Sequence, residues 1–402
     1  MNKEKTYFGF GRNVFFTGLV SFFMDVSSEM IYPLVPIFLA GVLGVNMSMI
    51  GLIEGIAEST ASLLKVFSGW LSDRTMQRKN LMLAGYAIST LSRPIMAMAG
   101  SWQQVLASRC TDRLGKGVRT SPRDAIIAES TESTHLGRAF SFHRAMDTLG
   151  AVVGPAITFA LLGFFNNDYR KIFWLSMVPG VIAVILIILF IQEKKRQLKP
   201  EAERPKLTLN HFDWKVKFFI VIAALFALGN SSDAFLILRA QQIGIPTLTI
   251  PIVYLVFNLV YSLSALPAGM AADRFGRKRI ILLGFVLFAG LYYGFAVAKN
   301  ISTIWILFGL YGLFMGFTEG VQKAFLATII PPDFTATAFG VYAAAVGLAM
   351  LPASLIAGWL WDHVSPAATF YFGAATASLS AILFGVLMLL IRYSQPAIVR
   401  EL

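Results

Sequence analysis

Asp25, Glu29, Glu54, Glu58, Lys65, Arg93, Arg109, Asp112, Arg113, Lys116, Arg119, Arg144 and Asp147 all stand inside or beside long apolar runs of a 402-residue chain. Their spacing is orderly. Glu54 and Glu58 are four apart, and Arg109, Arg113 and Lys116 are spaced to share one helical face, so a basic strip can face an acidic one. Burial drives a carboxylate toward its neutral form and a nearby guanidinium drives it toward its charged form, so any event that changes the Arg contact changes proton occupancy. The chemistry on offer is ion pairing and proton exchange. The plainer alternative is a set of fixed salt bridges that knit helices together. Farther along, Asp233, Arg239, Glu319 and Lys323 are the main ionisable groups. Ser27 and Ser28 beside Glu29, and Asn230, Ser231 and Ser232 beside Asp233, add hydrogen-bonding groups for a ligand or for a neighbouring helix.

The elements that must hold these groups follow from composition. Hydrophobic residues make up 56% of the chain, charged residues 14%, and the mean hydropathy is +0.67, against roughly a quarter charged in a soluble domain. Runs of about 18 apolar residues cross a ~30 Å hydrocarbon core as helices. The pattern predicts an all-α membrane protein of twelve transmembrane helices, over 13–41, 47–71, 80–99, 102–127, 139–165, 172–192, 216–241, 248–271, 279–298, 303–329, 337–361 and 368–392. An ionisable group at the bilayer centre costs ~2.5–3.5 kcal/mol, so it must face a partner or a wet cavity. Asp25, Glu58, Arg113 and Asp147 fall in the middle third of their spans. Pro33, Pro36 and Pro94 loosen backbone bonding within spans. Tyr32, Phe142, Tyr254, Phe257, Tyr261 and Tyr311 are candidates to line an amphipathic pocket.

The net charge of +12 is explained by topology, because basic clusters such as Arg74, Arg78, Lys79 and Arg274, Arg277, Lys278, Arg279 alternate with nearly uncharged loops. Both termini are then cytoplasmic, and no nucleic-acid partner is required. Residues 193–215, rich in Lys and Arg with Pro200 and Pro205, read as a cytoplasmic linker between an N-terminal bundle, 1–192, and a C-terminal bundle, 216–402. Arg119 and Arg123, near the cytoplasmic end of the fourth span, are placed for gate or lipid-headgroup contacts. A lone Cys110 and four His without ligand spacing give neither disulfide nor metal site. No cofactor is expected, and no nucleophile elbow or zinc pair points to an enzyme.

The chain also repeats itself. Gly69, Asp73 and Arg74 recur 200 residues on as Gly269, Asp273 and Arg274; Ser27, Ser28 and Glu29 recur 204 on as Ser231, Ser232 and Asp233; Pro155 recurs 197 on as Pro352. Landmarks in one order at nearly one offset predict two pseudo-symmetric six-helix bundles.

Gly269, Asp273, Arg274, Gly276, Arg277 and Lys278 resemble the loop signature of the major facilitator superfamily, with a degenerate twin at Gly69, Asp73, Arg74, Arg78 and Lys79 that carries Met76 and Gln77 instead of the usual Gly and Arg. The resemblance covers essentially the whole chain and implies secondary active transport by alternating access, with Asp73 and Asp273 as gating carboxylates. Gly150, Gly154 and Pro155 resemble the fifth-span pattern of superfamily antiporters, and small residues four apart equally permit close helix packing. The expectation is a bacterial inner-membrane monomer that exports a small amphipathic solute against protons. Its coupling residues are Asp25, Glu29, Glu54, Glu58, Arg109, Arg113, Asp147 and Asp233. The alternatives are carriage of an anionic metabolite or siderophore, which suits the basic strip, and a membrane sensor that moves nothing.

Overall fold

A backbone in lipid must satisfy its own polar groups, so apolar runs of this length fold as helices. The computed structural model describes residues 6–75, 77–132, 135–193, 213–330 and 335–393, without the side chains of 6, 66, 69–75, 137, 266, 319, 335–337, 392 and 393. A hairpin of β1 (Thr6–Tyr7) and β2 (Phe10–Gly11) precedes α1 (Arg12–Ile31), α2 (Val35–Ile37), α3 (Met47–Thr75), α4 (Arg78–Met98), α5 (Trp102–Glu129), α6 (Leu136–Phe164), α7 (Tyr169–Leu175) and α8 (Met177–Phe190). Then come α9 (Trp214–Gly229), α10 (Ala234–Gln242), α11 (Ile250–Phe275), α12 (Arg277–Val297), α13 (Ile301–Thr328), α14 (Thr335–His363) and α15 (Pro366–Tyr393). Most of the expected linker, 194–212, lies outside the described residues.

Among the described residues, nine helical stretches are long and apolar enough to cross a membrane. Three others, α3, α4 and α5, are 29, 21 and 28 residues long, or about 32–44 Å at ~1.5 Å per residue. Their charges lower their hydropathy, and several of those charges are buried against one another.

Consecutive long helices alternate in direction, which defines two ends of the molecule. One, called here the Gly276 end, holds Arg78, Glu129 and Gly276; the other, the Gly44 end, holds Gly44, Ser101, Gly244 and Val364. α1 to α8 pack chiefly on each other and α9 to α15 do likewise, and the two sets meet where α3 lies along α14 and α6 along α11. Exchanging the halves converts one contact into the other, as a two-fold repeat requires. The α3–α14 approach is close because Gly51 and Gly358 carry no side chain: a Cβ at either would collide with the facing backbone, at Ser354 and Met47 respectively. The two halves differ inside. The second has an aromatic core, with Phe226 stacked on Phe285 at 4.4 Å and Phe288 on Tyr292 at 4.0 Å, while the first buries charge.

Three expected spans are interrupted. The span expected over 216–241 breaks at 230–233, where Asn230, Ser231, Ser232 and Asp233 have side chains that compete for backbone hydrogen bonds. The first, expected over 13–41, leaves α-helix after Ile31 for a 3₁₀ turn at Tyr32–Leu34, and ends in a π turn at Phe38–Val42. Pro33 and Pro36 remove the amide donors that a continuous helix needs. The sixth, expected over 172–192, begins at Tyr169 and turns at Ser176, three residues before Pro179. Pro94 and Pro122 sit within α4 and α5 without breaking them.

Candidate functional site

The strips expected on the second and fourth spans meet. α5 sets Arg109 against Glu54 of α3 through two hydrogen bonds, Nε to Oε1 at 2.9 Å and Nη2 to Oε2 at 2.5 Å, with side chains 3% and 2% exposed. One turn along, Arg113 Nη2 is 2.6 Å from Glu58 Oε1, and its Nη1 is 3.5 Å from Asp112 Oδ2. Glu58 keeps 25% of its side chain exposed. Arg93 of α4 donates to Asp112 Oδ1 at 3.1 Å, to Ser27 at 3.0 Å and to Ser28 at 2.8 Å, which ties α1 to the same network. The Tyr32 ring lies 5.3 Å from the Arg109 guanidinium and 6.0 Å from that of Arg113. Such pairs resist loss of one partner, because the other would be left charged and desolvated.

A second seam joins α1 to α6. A Cβ on Gly150 would stand 2.6 Å from the Phe22 carbonyl and 2.9 Å from Asp25 Cβ, and one on Gly154 would stand 2.8 Å from Glu29 Cβ. These glycines therefore act as the packing device that brings α6 up to the acidic face of α1, with Pro155 inside the same helix. Asp25 and Glu29 make no salt bridge among the described residues. One Glu29 oxygen, Oε2, and one Asp147 oxygen, Oδ1, are buried without a hydrogen-bond partner among the described residues. The positive charges that act on Asp25 come from Lys116, Arg119 and Arg123 of α5. Arg119 is 4% exposed, donates to Ser89 at 2.5 Å and lies 4.6 Å from the Tyr86 ring. It is an internal residue, which corrects the lipid-headgroup alternative of its assignment to gate or headgroup contacts.

The break between α9 and α10 supplies the second half's polar groups. Tyr311 donates to Asp233 at 2.9 Å, and Tyr292 and Tyr311 lie 3.4 Å from the Asn230 oxygen. Ser232 donates to Glu54 Oε2 at 3.4 Å across the interface, and the Tyr32 and Tyr254 rings meet there at 5.3 Å. The break thus brings Asp233 and Ser232 to the acidic strip of the other half.

Between α3, α9, α13 and α14 lies a cavity of about 510 Å³ bordered by Glu58, Lys65, Asn230, Thr318, Gln322 and Lys323, with Phe226, Phe314, Phe339, Met315 and Met350 as its apolar wall. A second cavity of about 490 Å³ extends toward the Gly276 end, bordered by Arg144, Tyr261, Gly269, Asp273 and Arg277, and shares Met315 and Lys323 with the first. At the Gly44 end the halves are closed: Asp362 of α14 accepts from the Met47 amide at 3.1 Å, the Ser48 amide at 2.7 Å and the Ser48 hydroxyl at 2.6 Å. The interface is sealed at one end and hollow toward the other.

Of the gating residues, Asp273 pairs with Arg277 at 3.2 Å, Gly269 borders the second cavity, and Arg274 lies 5.4 Å from the Phe275 ring. Gly69, Asp73 and Arg74 lie in the last turns of α3, and their side chains are outside the described residues. Among the expected pocket aromatics, Tyr261 borders the second cavity but Tyr32, Phe142, Tyr254, Phe257 and Tyr311 border neither; Phe226, Phe314, Phe339 and Tyr342 line the larger one. Thr318, Gln322 and Tyr342 are absent from the sequence-based candidates. Their signal is weak: Thr318 and Gln322 are four apart on an apolar helix, and Tyr342 donates to Gln322 at 2.7 Å.

Two similar sets of membrane-length helices around a central hollow, sealed at one end, define a polytopic membrane carrier. The profile of the Major Facilitator Superfamily matches residues 17–258 and 218–401, and the chain belongs to that family of transporters. An uncharacterized MFS-type transporter of Methanocaldococcus jannaschii is 35% identical over 382 residues, covering 92% of this chain and 94% of the relative. A multi-drug resistance efflux pump PmrA homolog of Lactococcus lactis is 24% identical over 379 residues, covering 91% and 92%. The crystal structure of a mutant of the nucleoside transporter NupG superposes with a TM-score of 0.79 at 12% identity, covering 93% of this chain and 99% of that one, a likeness of fold.

Proposed function

We propose that this transporter is a proton-coupled antiporter that exports a small amphipathic solute, working as two units, 1–192 and 216–402, with twelve membrane crossings. The observation that carries the reading is the cavity of about 510 Å³, whose wall joins aromatic and Met side chains to one carboxylate among the described residues, Glu58, which is paired with Arg113 outside that wall. An apolar body with a few convergent polar groups is what a pocket for an amphipathic molecule presents. A proton and a solute that both neutralise one carboxylate exclude each other, and mutual exclusion at a shared site is the physical basis of exchange. Asp25, Glu29, Asp147 and Asp233 extend the set of groups that can hold the proton. The likeness to an efflux pump over most of both chains supports the outward direction. The positive-inside rule sets the Gly276 end, with Arg78, Lys79, Arg277, Lys278 and Arg279, at the cytoplasmic face of a bacterial inner membrane. The partners are lipid, protons and solute, and the carrier works as a monomer. Closure at Asp73 and Asp273 and opening at Asp362 would alternate.

Lys65 and Lys323 on the same wall favour a second reading, carriage of an anionic metabolite or siderophore. Purified protein in liposomes under an imposed pH gradient separates the two, with ethidium as the cationic probe and a carboxylate siderophore as the anionic one. Gradient-driven movement of ethidium alone is expected, and at least one of Asp25→Asn, Glu58→Gln and Arg113→Ala should abolish it while the protein still inserts. Movement of the siderophore alone would establish the second reading, and undiminished flux in all three variants would remove the coupling residues.

A further inference from the structure

Near the middle of the first half, the α1–α6 seam carries titratable groups at one-turn intervals. α1 and α6 run in the same direction, so Ser21 and Asp25 on one stand beside His143 and Asp147 on the other, and Glu29 follows one turn later. His143 is 4% exposed, its Nε2 is 2.7 Å from the Ser21 hydroxyl, and its Nδ1 is 3.6 Å from Asp147 Oδ2. The Ser21 hydroxyl also lies 3.3 Å from the Tyr86 hydroxyl and accepts from Arg123 Nη1 at 3.4 Å, on the side facing the Gly276 end. A histidine buried only for packing would have both nitrogens engaged. Here one nitrogen faces a carboxylate just beyond bonding distance, and that carboxylate's other oxygen, Oδ1, has no partner among the described residues.

We propose that His143 relays protons between the Gly276 end and the Asp147–Asp25 carboxylates, by a route separate from the solute cavity. The proposal rests on the proton-coupled reading above. In the neutral resting ring the proton sits on Nδ1, toward Asp147, and Nε2 accepts from Ser21. The hydroxyl passes its proton to Nε2 and regains one from a water admitted past Arg123, which bonds Ser21 and pairs with Asp124, 43% exposed. The imidazolium then releases its Nδ1 proton to an Asp147 oxygen, after a small side-chain rotation or through one water. The ring ends neutral with its proton on Nε2, a return of the tautomer resets it, and the net change is one proton gained by Asp147. Ser21 and His143 border neither cavity, so the relay does not compete with solute for space. The charges that act on His143 are Arg123 and Asp124 from α5 and Arg144 and Asp147 from its own helix. Asp25 of α1 acts on Asp147, Tyr86 of α4 reaches the ring through Ser21, and Tyr261 of α11 is bonded to Arg144.

The test needs no solute, so its outcome is independent of what the transporter carries. The detergent-purified full chain is given a downward pH jump, and the infrared band of protonated carboxyl groups is followed in time, with Asp147→Asn marking the part that belongs to Asp147. His143→Gln is expected to slow that part by at least about tenfold and leave its final amplitude unchanged, as loss of a positioned proton donor does. Ser21→Ala is expected to slow it in the same sense. An unchanged rate in His143→Gln overturns the proposal, and so does loss of the amplitude in a folded variant, which would mark a structural role. If His143→Gln fails to fold, an unchanged rate in Ser21→Ala is the overturning result.

Discussion

Two ion pairs that look alike in sequence, Glu54–Arg109 and Glu58–Arg113, differ in what surrounds them. The first is sealed, with both side chains at most 3% exposed and a Tyr32 ring beside the Arg, and it borders neither cavity. The second has one oxygen-bearing side chain 25% exposed on the wall of the larger cavity. The sealed pair should therefore act mainly on stability and the open pair on transport. Glu54→Gln leaves Arg109 buried and unpaired, and thermal unfolding in detergent should show a loss of roughly 3–5 kcal/mol, part of which returns when Arg109→Gln is added. Arg113→Ala should leave the unfolding temperature closer to that of the parent while flux falls. Equal destabilisation by both would mean that the two pairs are one structural unit.

At the scale of elements, the decisive features are the broken α9–α10 stretch and the glycine seam of α6. The repeat offset places Ser231, Ser232 and Asp233 at the right position, but the hydropathy of the run assigns them to a continuous helix. At the break the Ser232 amide donates to the Ser354 hydroxyl, and Tyr292 and Tyr311 bond the side chains of Asn230 and Asp233, all partners about 60 to 120 residues away. No local pattern reports such partners. The seam is easier to read, because small residues at four-residue spacing imply close approach whichever helix they meet. Gly150→Val puts atoms inside the Phe22 carbonyl and Asp25, and overpacking of this kind costs about 1–3 kcal/mol. The variant should elute less homogeneously on size exclusion and lose gradient-driven flux, whereas Gly163→Val, where a Cβ meets nothing within 4 Å, should be silent by both measures.

For the whole molecule, Ser48 is bonded to Asp362 at one end and the interface is hollow toward the other, which under the proposed alternating access is one extreme of the cycle. If alternating access requires that contact to open, Ser48→Cys with Asp362→Cys in a Cys110→Ser background should cross-link on mild oxidation and arrest flux, with recovery on reduction. Full flux in the cross-linked protein would show that the Gly44 end need not part. The sequence alone determined that the chain lives in lipid, that it is built twice over, and that charges inside the spans need partners, because hydropathy, repeat offset and desolvation cost are properties of residue type and spacing. Only the tertiary structure decided which carboxylates are locked to arginine and which are left open, and that Ser21 of α1 stands beside the His143–Asp147 pair of α6. Those distinctions arise from which helix lies against which, and contacts between residues on different helices, 55 positions apart for Glu54–Arg109 and 122 for Ser21–His143, leave no period in a single sequence.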